Sequence, residues 1–126
     1  MTAKRVLSVG QCLADHRKIA RTLEPLGAEV VPADTSDEAL GQLRAGPPFA
    51  LVLVNRVYDS DGSSGMDLIR QMKAEPAFQA VPVMLVSNYE DAQEEAIAAG
   101  AAPGFGKSAL YGPLVVERVR AFLAEG

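Results

Sequence analysis

The chain contains 126 residues, the size of one domain, and 48% of them are apolar, which is enough for a buried core. Its net charge is −4 and its Lys and Arg residues form no basic run, which argues against nucleic acid and anionic membranes as partners. The single cysteine, Cys12, excludes an internal disulfide, and the longest apolar run, 49–54, is far too short to span a bilayer. With no signal-peptide pattern at its start, the sequence predicts a cytoplasmic protein.

Short apolar segments alternate with longer helical patterns along the chain. The short segments predict five strands, at 5–9, 29–31, 49–54, 82–86 and near 104–105. The longer patterns predict five helices. Four lie at 15–26, 66–73, 91–99 and 114–123, and the remaining one, second in chain order, begins after a cap at Thr35 or Ser36. This alternation predicts an α/β fold with a doubly wound, five-stranded parallel sheet and five helices, in one domain over 1–126.

The signals at the ends of these elements agree with that topology. The strand at 49–54 is apolar on both faces, as expected at the centre of a parallel sheet that helices cover on both sides. Gly27 and Gly100 follow the first and fourth helices, where a left-handed residue commonly ends a helix. Because ligand sites of such sheets lie at the carboxyl ends of the strands, the residues there are the candidates for function.

A set of five residues follows the predicted strands: Gly10, Gln11, Asn55, Ser87 and Lys107. The positions of these residues follow the pattern of a known protein family, and so do the spacings from Pro82 to Ser87 and from Gly100 to Lys107. Over essentially the whole chain, the sequence resembles the receiver domains of response regulators, of the chemotaxis-regulator type. The resemblance implies a flavodoxin-like fold and a role in bacterial two-component, phosphorelay signal transduction.

The sequence departs from the family at the positions that carry its chemistry. The family has two acids after the first strand and a phospho-accepting Asp after the third, whereas Gly10, Gln11 and Asn55 stand at these positions here. Mg²⁺ prefers carboxylate oxygens, and the acceptor must be a carboxylate because its oxygen attacks the phosphoryl group. We therefore expect a degenerate phosphorylation pocket with no metal, no cofactor and no enzymatic activity.

Two residues of the family pattern are retained. In the family, the positions of Ser87 and Lys107 contact the phosphoryl oxygens, as the resemblance implies. Two roles remain open for Ser87, this contact or a cap of the following helix. For Lys107 we expect a hydrogen bond to the amide oxygen of Asn55. The alternative counter-ions for this lysine are Asp15, Asp59 and Asp61.

The family's switch elements are also missing. Its aromatic switch stands three residues before the lysine, which is Gly104 here, so there is no ring to rotate. Ser108 replaces the proline that often follows the lysine, and a non-proline cis bond costs about 3 kcal/mol. We therefore predict a trans Lys107–Ser108 peptide and a domain that holds one conformation.

These observations favour a pseudo-receiver that binds a protein partner without phosphorylation. The partner is expected to be a signalling protein, an output domain or a second copy of the chain, with no role for nucleic acid or membrane. The first alternative is a working receiver that uses a displaced acceptor, Asp59 or Asp61, from a polar loop expected to be solvated. The second alternative is a nucleotide-binding P-loop at 101–108, which matches the loose pattern but lacks a preceding strand.

Overall fold

A computed structural model describes residues 4–109 and 112–123 of the chain. Five parallel strands form one sheet in the order β2-β1-β3-β4-β5. The strands are β1 (Lys4–Val9), β2 (Ala28–Ala33), β3 (Leu51–Asn55), β4 (Val83–Val86) and β5 (Ala102–Phe105). The predicted fold class is confirmed, and each strand lies within a few residues of its predicted position.

Five α-helices alternate with the strands and cover both faces of the sheet. They are α1 (Leu13–Leu23), α2 (Ser36–Ala45), α3 (Gly65–Ala74), α4 (Glu90–Ala98) and α5 (Pro113–Leu123). The buried residues of α1 and α5 belong to one core cluster, and those of α2, α3 and α4 to the other. None of the helices in the described ranges is long and apolar enough to cross a membrane.

The central strand β3 explains why the core has two halves. Successive side chains of a strand point to opposite faces, so Leu51 and Leu53 pack with α1 and α5. Val52 and Val54 pack with the helices of the other face. All five residues of β3 are buried, and the first four are apolar, as expected of a central strand that is covered on both faces. The strand therefore holds its last residue, Asn55, at a fixed depth at the edge of the sheet.

Two of the differences from the predicted bounds are explained by prolines. The first helix was predicted at 15–26, but α1 ends at Leu23 and Glu24–Leu26 form a 3₁₀-helix, since Pro25 has no N–H for an α-helical hydrogen bond. Gly27 then follows with φ of 92°, in the left-handed region expected of it. The second strand is longer than predicted because it is an edge strand, which tolerates Pro32.

Two helical glycines offer a matched test of the packing beside β3. A Cβ on Gly65 would lie 2.0 Å from the backbone oxygen of Asn55, whereas a Cβ on Gly41, within α2, would meet nothing within 4 Å. We expect Gly65→Ala to lower the free energy of unfolding by about 1–3 kcal/mol through overpacking. Gly41→Ala should raise it by about 0.5–1 kcal/mol, the usual gain in a helix. Urea denaturation measures both, and stabilisation by Gly65→Ala would contradict this packing.

Candidate functional site

The carboxyl ends of β3, β4 and β5 bring three of the predicted site residues to one cavity. Asn55, Ser87 and Lys107 all line this cavity, whose volume is about 420 Å³. Asn55 ends β3 and Ser87 follows β4, and both are buried because they end strands at the centre of the sheet. Lys107 begins a 3₁₀-helix after β5 and is more exposed. The sequence thus identified the place, and the side-chain contacts define its chemistry.

The amide of Asn55 links β3 to the end of β1. Its Nδ2 donates a hydrogen bond of 2.9 Å to the backbone oxygen of Gly10. The same oxygen accepts a second bond of 2.9 Å from the backbone N–H of Asp59. An aspartate at position 55 has no N–H for this contact and would place a carboxylate oxygen against the carbonyl. The asparagine is therefore matched to its surroundings as a hydrogen-bond donor.

Lys107 forms an ion pair with an acid of α1. The hydrogen bond to Asn55 that the sequence predicted is not formed. Its Nζ lies 3.4 Å from the Oδ2 of Asp15, one of the three counter-ions that the sequence offered. The expected bond is absent among the described residues because a carboxylate is the stronger acceptor for an ammonium group. The lysine side chain is 42% exposed, so the ion pair is partly screened by solvent. No described peptide bond is cis, and Lys107–Ser108 is trans as predicted.

Tyr58 fills the space beside the first acid position. Gly10 has φ of 73°, and a Cβ built on it would lie 2.2 Å from the Cδ1 of Tyr58. The tyrosine is only 2% exposed, and its hydroxyl lies 2.9 Å from the Oγ of Ser36 at the start of α2. Any side chain at position 10 would overlap with this ring. A glycine is therefore required here for two reasons, the left-handed backbone and the ring.

The polar residues 59–64 of this loop are exposed, as predicted for a solvated loop, but the loop is folded back on the sheet through Tyr58. An antiparallel bridge joins Val57 to Ser64, and the N–H of Tyr58 donates to the oxygen of Ser63 at 2.9 Å. This short hairpin directs the aromatic ring inward and leaves the polar residues outside. Sequence reasoning missed Tyr58, although one aromatic residue within a run of small polar residues was a signal that could have found it.

Gln11, at the second acid position, turns back toward the sheet. Its side chain is buried, and its Nε2 donates to the backbone oxygen of Val9 at 3.3 Å. Its Oε1 has no hydrogen-bond partner among the described residues. Gln11 does not line the cavity of Asn55, Ser87 and Lys107. Three of the five strand-end residues therefore share the cavity. Gly10 is outside its lining but accepts the hydrogen bond of Asn55, and Gln11 is outside the lining as well.

The two loop acids do not assemble a second acidic site. Hydrogen bonds from Ser63 hold the pKa of the Asp61 carboxyl below its ordinary value, and this carboxylate is fully exposed to solvent. Asp59 is also exposed, and its backbone is fixed on Gly10. Within 4–109 and 112–123, no three His, Cys, Asp or Glu side chains lie close enough together to hold a metal ion.

At the position of the family's aromatic switch, the backbone of β4 and the side chain of Gln93 occupy the space. A Cβ on Gly104 would lie 2.1 Å from the backbone oxygen of Leu85, so β5 passes too close for a side chain. Gln93 of α4 fills this region, accepting from the Gly104 N–H at 3.2 Å and donating to the Leu85 oxygen at 2.8 Å. Arg118 of α5 donates to the Gly104 oxygen. These bonds fix α4, β5 and α5 together where the family has a movable ring.

Ser87 bonds within the turn that leads into α4 and does not cap the helix itself. Its Oγ accepts from the backbone N–H of Tyr89 at 3.1 Å, and Tyr89, the N-cap residue of α4, has no side-chain capping bond. The serine also lines the cavity, so it remains part of the site. The P-loop alternative fails here as well, since its segment 101–108 contains β5 and the start of a 3₁₀-helix in place of an open phosphate-binding loop.

The contact between Gly10 and Tyr58 can be measured against a second left-handed glycine. Gly27 has φ of 92° and open space around its Cβ position, so Gly27→Ala meets only backbone strain, about 1–2 kcal/mol. We expect Gly10→Ala to lower the free energy of unfolding by about 1–3 kcal/mol more, because the methyl group also displaces the ring. Equal losses for the two variants in chemical denaturation would show that the ring yields without cost.

The buried phenol of Tyr58 should give the fold an alkaline limit. Burial raises the pKa of this phenol above its ordinary value of 10.0, so the folded state favours the neutral form. This contribution to stability is complete below pH 10 and is lost as the pH rises through the folded-state pKa. Tyr58→Phe should cost about 1 kcal/mol near pH 7 but lose less stability above pH 10 than the wild type.

Ser36→Ala is the control for this alkaline effect. It removes the same hydrogen bond and keeps the phenol, so its loss near neutral pH should resemble that of Tyr58→Phe while the alkaline decline persists. Denaturation curves from neutral to alkaline pH measure both effects. The same alkaline decline in Tyr58→Phe as in the wild type would assign that decline to other groups.

No protein-family model matches the sequence, and no curated protein sequence is significantly similar to it. Solved structures do match the fold over nearly the whole chain. A protein of Chloroflexus aurantiacus described as a response regulator has a TM-score of 0.84 at 22% identity, covering 98% of this chain and 100% of its own. A response regulator of Thermotoga maritima has a TM-score of 0.79 at 25% identity, with 98% and 99% covered. The Mn²⁺-bound form of the response regulator Rcp1 has a TM-score of 0.79 at 18% sequence identity, and the match covers 98% of this chain and 96% of Rcp1. The chain therefore has the fold of the response-regulator receiver domains.

Proposed function

We propose that this chain is a phosphorylation-independent pseudo-receiver, a protein-interaction module of bacterial two-component signalling. Its partner would be a signalling protein, an output domain or a second copy of the chain. The observation that carries the proposal is the packing of Tyr58 against Gly10, which leaves no room for an acidic side chain at this position. The receiver fold supports the signalling context, since other proteins described as response regulators share it.

The chemistry at Asn55 supports the same proposal. Phosphoryl transfer to a receiver needs a carboxylate nucleophile, and an amide whose N–H is bonded to the Gly10 oxygen cannot supply one. A divalent cation would need hard oxygen ligands in near-octahedral geometry. The nearby carboxylate that the structure does provide, Asp15, is paired with Lys107. Lys107 therefore has its counter-ion within the chain, without a metal-bound carboxylate or a phosphoryl group.

The displaced-acceptor alternative makes different demands on the loop. Either Asp59 or Asp61 would need a metal and a cation close to its carboxylate to stabilise the transferring phosphoryl group. Asp61 instead accepts hydrogen bonds from its neighbour Ser63 at the solvent surface. No described contact brings either acid to Lys107. We therefore place the function in binding and not in phosphate chemistry.

The test is incubation with phosphoramidate and Mg²⁺, followed by intact mass measurement. We expect no phosphoryl adduct on the wild type, on Asn55→Asp, or on the variant that combines Gly10→Asp, Gln11→Asp and Asn55→Asp. The triple variant restores the family's acids, but the side chain at position 10 would overlap with Tyr58. A phosphorylatable receiver treated in parallel is the positive control. A stoichiometric adduct on Asp59 or Asp61 of the wild type would establish the displaced acceptor instead.

Asn55→Asp also has an expected effect on stability. It exchanges a donor for an acceptor opposite the Gly10 oxygen, so we expect a loss of about 1–3 kcal/mol in the free energy of unfolding at neutral pH. Asn88→Asp is a matched control, because the Asn88 oxygen already accepts from Ser108 and a carboxylate can do the same. Equal stability of the two variants would mean that Asn55 is not required as a donor.

A further inference from the structure

The strand-end cavity is cationic. Its lining includes Arg56 and Lys107 but no carboxylate. Lys107 shares its charge with Asp15, which lies 3.4 Å away. Arg56 has no ion pair with an acid among the described residues. Within the lining of this cavity, Arg56 therefore lacks a counter-ion in contact, and its charge is one that an incoming anion can balance.

Arg56 is held in place by an aromatic ring. The central carbon of its guanidinium lies 4.9 Å from the centre of the Tyr89 ring, within the range of a cation–π contact. This contact leaves the N–H groups at the edge of the planar guanidinium free to donate. A planar, delocalised cation with paired donors matches the two oxygens of a carboxylate. Because the ring restrains the arginine, less side-chain entropy is lost when an anion binds.

The neutral residues of the cavity add hydrogen-bond donors. The Oδ1 of Asn88 accepts from the N–H and the hydroxyl of Ser108, at 3.2 and 3.1 Å. Its Nδ2 hydrogens are then left as donors, since an amide presents its oxygen and its nitrogen separately. The Oγ of Ser87 accepts from Tyr89, and its own proton has no acceptor among the described residues. These donors and Arg56 lie around one cavity.

The rim of the cavity is apolar and exposed. Tyr89 is 63% exposed and Val57 is 43% exposed, and both line the cavity. A small inorganic ion gains nothing from such a rim, whereas a polypeptide can bury its own apolar side chains against it. The combination of a cationic centre and an apolar rim is therefore suited to an acidic side chain flanked by apolar residues.

We propose that this cavity binds an Asp or Glu side chain of a protein partner without any metal, and that residues flanking the acid pack on Val57 and Tyr89. One arginine without an ion pair matches a singly charged carboxylate better than a doubly charged phosphate group. This inference rests on the proposed function, since it names the chemistry by which an interaction module recognises its partner. The cavity at the strand ends becomes the recognition site for an acidic segment.

An arginine in the adjacent groove provides a matched control. Arg70 lines a second groove, which shares Tyr89 and Arg56 with the cavity and also contains Asp91 and Glu95. Unlike Arg56, it already pairs with Glu95 and lies 3.9 Å from Asp67. Arg56→Gln and Arg70→Gln remove the same charge from neighbouring surfaces. Only Arg56→Gln removes a cation that the proposal assigns to the ligand.

The experiment is a titration of the ¹⁵N-labelled protein, followed by amide chemical shifts. The probes are a capped Leu-Glu-Leu peptide, the matched Leu-Gln-Leu peptide and inorganic phosphate. We expect Leu-Glu-Leu to shift the amides of Ser87 and Asn88 saturably and to bind about tenfold more tightly than Leu-Gln-Leu. Arg56→Gln should remove this preference for the acid, and Arg70→Gln should keep it. Phosphate should bind more weakly than Leu-Glu-Leu because it cannot use the rim.

Three outcomes would overturn the inference. Equal binding of the two peptides, or no saturable shift by either, would show that the cavity does not recognise a carboxylate. Tighter binding of phosphate than of Leu-Glu-Leu would make it a small-anion site. If Arg70→Gln lost the preference for the acid as fully as Arg56→Gln, the preference would depend on the net charge of the protein and not on the cavity. Each can occur while phosphoramidate leaves the protein unmodified, so failure here is distinct from failure of the proposed function.

Discussion

The contact between the Tyr58 ring and the backbone at Gly10 is the constraint on which the rest of the strand-end site depends. The ring is buried against a residue that has no Cβ, in a backbone conformation that glycine adopts without strain. It is held there from two sides, by its hydroxyl on Ser36 and by the hairpin that joins Val57 to Ser64. Because protein interiors tolerate little overlap, a large side chain in this position decides what else can be there.

The polar groups around this contact form a set that is balanced internally. Gly10 offers its carbonyl oxygen, and the amide of Asn55 and the backbone of Asp59 both donate to it. Lys107 is provided with a carboxylate from α1. Buried polar groups are stable only when they are paired, so each pair reduces the need for an outside ligand. There are two exceptions: the Oε1 of Gln11 has no hydrogen-bond partner among the described residues, and the charge of Arg56 is restrained by a ring and is not neutralised by an acid of the described chain.

The β4–β5 edge of the sheet is held by a separate network of hydrogen bonds. Gln93 bonds to the backbone of both β4 and β5, and Arg118 reaches the same part of β5 from α5. A side chain with several backbone bonds resists rotation more than an aromatic ring that is held by packing alone. Together with the pairing at the strand ends, this network joins α4, β4, β5 and α5 through direct hydrogen bonds. Such bonding would suit the proposed binding module, since a preorganised surface loses less entropy on association.

The sequence by itself determined the fold class, the order of the elements and the identity of the strand-end residues. These features depend on local periodicity, on glycine and proline positions and on the rule that parallel strands end on one edge, all of which can be seen along the chain. Helix and strand ends shifted by a few residues, and near Pro25 and Pro32 hydrogen bonding and edge position decide the boundary. Only the tertiary structure decided that Tyr58 packs on Gly10, that Lys107 pairs with Asp15 rather than Asn55, and that Arg56 remains available. These contacts join residues from different loops and elements, and their choice depends on side-chain direction and on competition among partners, which linear spacing does not encode.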